Sequence, residues 1–207
     1  MSILTGFTAG LLLITLSELG DKTFFIAAIL AMRYPRRWVF VGSTAALFTM
    51  TVLSVLIGQV AAVFPQQYVK GVAAALFIGF GLKLLYDALK MSGKKGLTGE
   101  QADAYEAIEQ REQNAMAWSI RAVMIEAFTL TFIGEWGDRT QLATITLAAA
   151  NNPYGVLIGA TLGHAICAAI AVICGKFIAG RISERLLTLV GGTLFIVFGM
   201  VAASQAI

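Results

Sequence analysis

The stretch Glu18-Leu19-Gly20-Asp21-Lys22-Thr23 returns as Glu135-Trp136-Gly137-Asp138-Arg139-Thr140, 117 positions later. Both copies lie inside long apolar runs. Each puts two carboxylates and one cation where the flanking residues demand hydrocarbon. Charge at the centre of a membrane helix costs about 2.5–3.5 kcal/mol per residue on insertion scales, and it usually marks an ion or substrate path. The repetition in the same order makes the pair of motifs, rather than either copy, the feature that decides the fold.

The surrounding composition agrees with a membrane environment. The 207 residues are 58% hydrophobic and 13% charged, against roughly 25% charged in a soluble domain, and the mean hydropathy is +0.80. This predicts an all-α integral membrane protein. The net charge of +3 does not point to nucleic acid, because the basic residues sit in short loops. Cys167 and Cys174 share one apolar segment and read as small helix residues rather than a disulfide or zinc framework. The N-terminus has no basic leader region, so the run from Ile3 reads as a retained first span.

A bilayer core of about 30 Å needs about 20 apolar helical residues. Six segments meet that need: roughly 3–32, 38–63, 70–90, 119–150, 154–179 and 186–206. Residues 91–118 are polar and join a first three-helix repeat, 1–90, to a second, 119–207. Thr98 and Gln101 have capping-box spacing, which predicts a short solvated helix over about 99–113. The halves match beyond the motif. Leu30-Ala31 pairs with Leu147-Ala148, Gly42 with Gly159, Thr44 with Thr161, and Gly58 with Gly175. Three spans per half is an odd number, so the second half enters the membrane in the opposite sense. This is an inverted repeat, with a site expected at the repeat interface near mid-membrane.

Positive charge gives the orientation. Arg33, Arg36 and Arg37 mark one loop; Lys90, Lys94, Lys95, Arg111 and Arg121 mark the linker and its edges; Lys176, Arg181 and Arg185 mark a third. The other side offers only Lys70. All three basic loops are therefore expected in the cytoplasm and both termini outside.

Residues three and four apart share a helix face. On unbroken helices Glu18, Asp21 and Lys22 would cluster, as would Glu135, Asp138 and Arg139. Facing each other, the clusters form one pocket. Glu18, Asp21, Glu135 and Asp138 are the candidate metal ligands, supported by Ser17, Gly20, Lys22, Thr23, Gly137, Arg139, Thr140 and Gln141. With every group ionised the pocket carries minus two. One divalent cation or two protons would neutralise it, while the empty ionised state is costly in a low dielectric. That is a recipe for exchanging a divalent cation against protons. Oxygen donors suit Ca2+, Mn2+ or Mg2+. Gly20 and Gly137 permit close helix approach or local unwinding that frees carbonyl ligands.

Two other function classes stay open at this point. An exporter of amino acids or other small organic solutes would want a mixed pocket rather than four carboxylates. A structural membrane subunit would not need the duplicated charges. An enzyme is not indicated, since the spans hold no paired histidines and no nucleophile–base pair, and no resident cofactor is implied. Two buried salt bridges that pin helices would account for Glu18–Lys22 and Glu135–Arg139 but leave Asp21 and Asp138 alone. His164 reads as a packing residue, because its repeat counterpart is Leu47. Glu126 reads as a local partner of Arg121, Asp87 as a helix-end partner of Lys83 or Lys90, and Asp103, Glu106 and Glu109 as a solvated face.

The doubled pattern E-x-G-D-K/R-T/S resembles the signature of a family of small cation/proton antiporters that handle Mn2+ and Ca2+. That family includes Golgi and chloroplast manganese transporters and bacterial manganese exporters of the Mnx type. Both motifs match at every defined position and the resemblance covers nearly the whole chain. It implies that the motif residues named above form the site, that the cation is the transported substrate and H+ the counter-ion, and that Mn2+ leaves the cytoplasm. The lack of an N-terminal targeting extension points to a bacterial or cyanobacterial plasma membrane or thylakoid.

Overall fold

A computed structural model describes residues 2–90, 99–112, 119–178 and 184–206. Every regular element among them is a helix: α1 (Ile3–Glu18), α2 (Lys22–Arg33), α3 (Arg36–Ala61), α4 (Gln66–Lys90), α5 (Gly99–Glu112), α6 (Ile120–Glu135), α7 (Arg139–Ala150), α8 (Pro153–Ile178) and α9 (Glu184–Ser204).

Four of the expected spans appear as single helices, α3, α4, α8 and α9. The two motif-bearing spans, 3–32 and 119–150, do not. Each is broken at its motif, and α1 meets α2 at a bend of 64°. A hydropathy window averages across such a break, so the apolar run alone could not reveal it. Among the described residues, α3, α4 and α8 are long and apolar enough to cross a membrane, and α1 with α2 makes a fourth if the bent pair is one span.

The packing exchanges elements between the halves. α1 lies on α8 and α6 on α3; α2 lies on α8 and α7 on α3; α2 touches α6 and α1 touches α7. Swapping the halves leaves these pairings unchanged, while α3 with α8 and α4 with α9 pair across the exchange. One core surrounds α2, where Phe24, Phe25, Ile29 and Leu30 meet Val39, Val123, Leu130 and Val172. The other surrounds α7, where Ala143, Leu147 and Ala148 meet Leu13, Val55, Phe77, Val156 and Phe195.

Lipid is as apolar as a leucine side chain, so helices in a bilayer gain by close backbone approach rather than by hiding from water. The contacts show this. A Cβ at Gly42 would stand 2.5 Å from the Met124 carbonyl oxygen, and one at Gly58 would stand 2.5 Å from that of Ile145. Gly155 and Gly159 bring α8 against the Ile3 and Phe7 carbonyls of α1 in the same way. Polar side chains add cross-half bonds. Gln59 Nε2 donates to the Ala148 carbonyl at 2.8 Å, and Thr131 Oγ1 donates to Ser43 Oγ at 3.2 Å.

The linker helix corrects the solvated expectation. α5 forms, but Gln101, Ala104 and Ile108 are buried, and the two apolar residues belong to the core around α2. Asp103, Glu106 and Glu109 remain exposed on its other face. Thr98 of the expected capping box lies outside the described residues, as do Lys94, Lys95 and Arg181.

The glycine contacts give a paired test. Gly58→Ala should destabilise the folded protein by about 1–3 kcal/mol, the usual cost of overpacking. Gly71 has nothing within 4 Å of a built Cβ, so Gly71→Ala should be neutral or stabilise by up to ~1 kcal/mol through helix propensity. Thermal unfolding of the detergent-solubilised variants measures both, and equal effects would refute the packing role.

Candidate cation site

The two breaks have one conformation. α1 ends at Glu18; Leu19 has φ −63° and ψ 113°, Gly20 has φ +82°, and Asp21 opens α2 at φ −78° and ψ 169°. In the second copy Trp136 has φ −67° and ψ 113°, Gly137 has φ +82°, and Asp138 has φ −72° and ψ 166°. A φ of +82° is left-handed backbone, which glycine enters at no steric cost and a β-carbon opposes. The Asp21 amide donates back to the Glu18 carbonyl at 3.2 Å, and the Asp138 amide to that of Glu135 at 3.1 Å. The sequence repeat is thus a repeat of backbone geometry.

This geometry gives the acids opposite helix environments. Asp21 and Asp138 stand at helix N-termini, where the backbone dipole favours negative charge. Asp21 Oδ1 accepts from the Lys22 amide at 2.8 Å. Glu18 and Glu135 are the last residues of α1 and α6, where the dipole opposes their charge and the final carbonyls lack helical partners. Both glutamates are nonetheless buried, at 2% and 3% exposure. Each is met by a hydroxyl from the following helix. Thr23 Oγ1 donates to Glu18 Oε2 at 3.3 Å, and Thr140 Oγ1 lies 3.1 Å from Glu135 Oε2 and 3.3 Å from Asp138 Oδ2. The single Thr140 hydroxyl proton can serve only one of those oxygens at a time.

The structure brings Glu18, Asp21 and Asp138 together, with one carboxylate oxygen of each within 4.8 Å of the others. Glu135 stands outside this three-way group and joins it through Thr140. The cations are not arranged as the helical spacing predicts. Arg139 does not turn back on Glu135; its Nη2 lies 2.9 Å from Asp21 Oδ2, tying the second motif to the first. Lys22 makes no ion pair among the described residues, so the two motifs use their basic residues differently. Ser17 is buried with no hydrogen-bond partner for its hydroxyl among the described residues. Gln141 Oε1 accepts from the Gly137 amide at 2.6 Å, which makes it a brace of the break.

Sequence reasoning missed three neighbours. His164 on α8 comes to the first motif, with Nδ1 3.8 Å from Glu18 Oε1. The signal was there, a lone imidazole in an apolar span, but the repeat partner Leu47 argued against it. Asp87 and Glu100 line a cavity of about 90 Å3 together with Ser17, Gly20 and Arg139. Glu100 reaches it because α5 lies against α2, a placement that composition could not give.

Comparison with known proteins gives the family. A sequence profile described as "Divalent cation/proton antiporter GDT1" matches residues 6–92 and 123–207. The chain is 56% identical over 204 residues to GDT1-like protein sll0615 of Synechocystis sp., covering 97% of each chain. It is 41% identical over 217 residues to GDT1-like protein 5 of Arabidopsis thaliana, covering 96% of this chain and 95% of the relative. It is also 40% identical over 208 residues to Protein PAM71-homolog, chloroplastic, of the same plant, covering 94% of this chain and 58% of that protein. No solved structure matches. The profile match spans both motif-bearing halves at once, and the chain therefore belongs to the GDT1 family of divalent cation/proton antiporters, membrane transporters and not enzymes.

Proposed function

We propose that this antiporter moves Mn2+, with Ca2+ as a second substrate, out of the cytoplasm in exchange for H+, and that Glu18, Asp21, Glu135 and Asp138 carry both ions in turn. The observation that supports this most is the approach of Glu18, Asp21 and Asp138 within 4.8 Å across two helix breaks in an apolar chain. Three anions at that range repel one another, and Glu18 and Asp21 are buried away from bulk water, so a bound divalent cation or protons must compensate them. Both cargoes meet that need at one place, and they exclude each other there.

The exchange follows from this competition. Arg139 stands on Asp21 as a tethered cation. A divalent ion entering the trio competes for Asp21 and satisfies Glu18 and Asp138 together. Protons arriving from the other side neutralise the same oxygens and release the metal. Access alternates as one three-helix repeat, 1–90, moves against the other, 119–207, in an inverted six-span arrangement with residues 91–118 as a cytoplasmic linker and both termini outside. The pairing of elements between the halves supports that arrangement. With the proton gradient directed inward, as in a bacterial plasma membrane, the metal leaves the cytoplasm.

Reconstitution tests the site. Asp21→Asn, Asp138→Asn, Glu18→Gln and Glu135→Gln should each reduce Mn2+ uptake into proteoliposomes under an imposed pH gradient by about tenfold or more, the scale of a lost ligand interaction. Thermal unfolding should stay cooperative in each. A variant with wild-type rates would remove that residue from the site.

Direction is tested in cells. Deleting the gene should raise intracellular Mn2+, read by elemental analysis, and slow growth in added MnCl2. A strain that holds less Mn2+ and tolerates more would reverse the assigned direction.

A further inference from the structure

We propose that His164 is a nitrogen ligand for the transported cation, shared with Glu18, and that it biases the site toward first-row transition ions over Ca2+. The inference rests on the cation-exchange reading above and adds a residue outside both motifs.

The geometry is specific. His164 lies on α8, is 4% exposed, and turns Nδ1 toward Glu18 Oε1 at 3.8 Å. Both atoms are buried, and neither has a hydrogen-bond partner among the described residues. Their separation is too long for a hydrogen bond between them. Oxygen donors bind Ca2+ or Mg2+ at about 2.0–2.6 Å, so two donors on one ion can stand up to ~5 Å apart. The separation of His164 Nδ1 from Glu18 Oε1 falls inside that span, as do the separations among Glu18, Asp21 and Asp138. His164 stands at the Glu18 edge of the trio, where it adds a donor to that carboxylate's side of an ion.

Burial without a partner needs a reason. An unsatisfied buried polar atom keeps its full desolvation penalty, and Glu18 Oε1 and His164 Nδ1 both carry it. Lying on one ion would relieve both. The imidazole also breaks the exchange of halves. The position related to His164 is Leu47, which is buried and has no polar atom in its side chain. Glu18 and Glu135 are therefore unequal as ligands, and the nitrogen comes from one side only.

The chemistry decides which cation gains. Ca2+ takes oxygen ligands almost exclusively. Imidazole binds first-row transition ions. A single nitrogen among carboxylates therefore shifts preference toward those ions without closing the site to Ca2+.

His164 is the chain's single histidine, which makes the test unambiguous. The purified full chain is loaded with Mn2+ alone and measured by pulsed electron paramagnetic resonance, with and without 15N-histidine. A nitrogen hyperfine coupling that changes with the isotope, and vanishes in His164→Gln, is the expected result. Bound Mn2+ with no such coupling overturns the proposal and leaves the carboxylate site standing. No bound Mn2+ at all overturns both. Transport adds a second readout. In proteoliposomes His164→Leu, which copies the other half, should raise KM for Mn2+ by about tenfold, the scale of losing a metal-shell residue, while KM for Ca2+ moves by no more than about twofold. Equal shifts for the two ions would show a packing role and overturn the proposal.

Discussion

Glu18 and Glu135 are carried into an apolar interior on the last residue of a helix, where the backbone dipole opposes their charge and their own burial removes them from bulk solvent. Each therefore demands compensation from something else. The hydroxyls of Thr23 and Thr140 answer part of that demand, but a neutral hydroxyl cannot cancel a charge. The opposite half supplies one cation and one more acid. Arg139 crosses from α7 to Asp21, while Asp138, within 4.8 Å of Glu18 and Asp21, adds to the negative charge that has to be compensated. In the proposed exchange, a site that neither half neutralises alone couples the halves through the cation bound there.

That coupling needs a frame that keeps two bent helices in register, and the close backbone contacts provide it. Gly42 and Gly58 seat α3 against α6 and α7, while Gly155 and Gly159 seat α8 against α1. Helices at such distances slide or rotate as bodies rather than deform, because packed interiors resist compression. Under the proposed rocking, motion between the halves is absorbed where the packing is interrupted, and each motif supplies an interruption beside the charges.

Much of this was legible in the sequence. The duplicated motif named Glu18, Asp21 and Asp138, which come together in the structure, and the apolar runs located α3, α4, α8 and α9. The breaks after Glu18 and Glu135 were not legible, because their flanks are apolar and glycine occurs in membrane helices. With the helix assumed continuous, the i, i+4 rule paired Glu135 with Arg139; once the chain turns at Gly137, Arg139 points to the other half. The burial of α5 had a faint trace in Gln101, Ala104 and Ile108, one helical face among charged neighbours. The approach of His164 to Glu18 depends on how α8 crosses α1, which no local pattern encodes.

The matched glycines also constrain how the gene can drift. Asparagine is the neutral residue other than glycine that best tolerates left-handed backbone. Every glycine codon differs from every asparagine codon at more than one base. A single base change at Gly20 or Gly137 yields residues with a β-carbon that resists a φ of +82°, or aspartate, which tolerates the backbone but adds a charge beside carboxylates. At Gly137 a built Cβ meets no heavy atom of a non-adjacent residue within 4 Å among the described residues, so crowding is not what excludes a larger residue there. Backbone strain and the spacing of the genetic code together oppose replacement at these two positions.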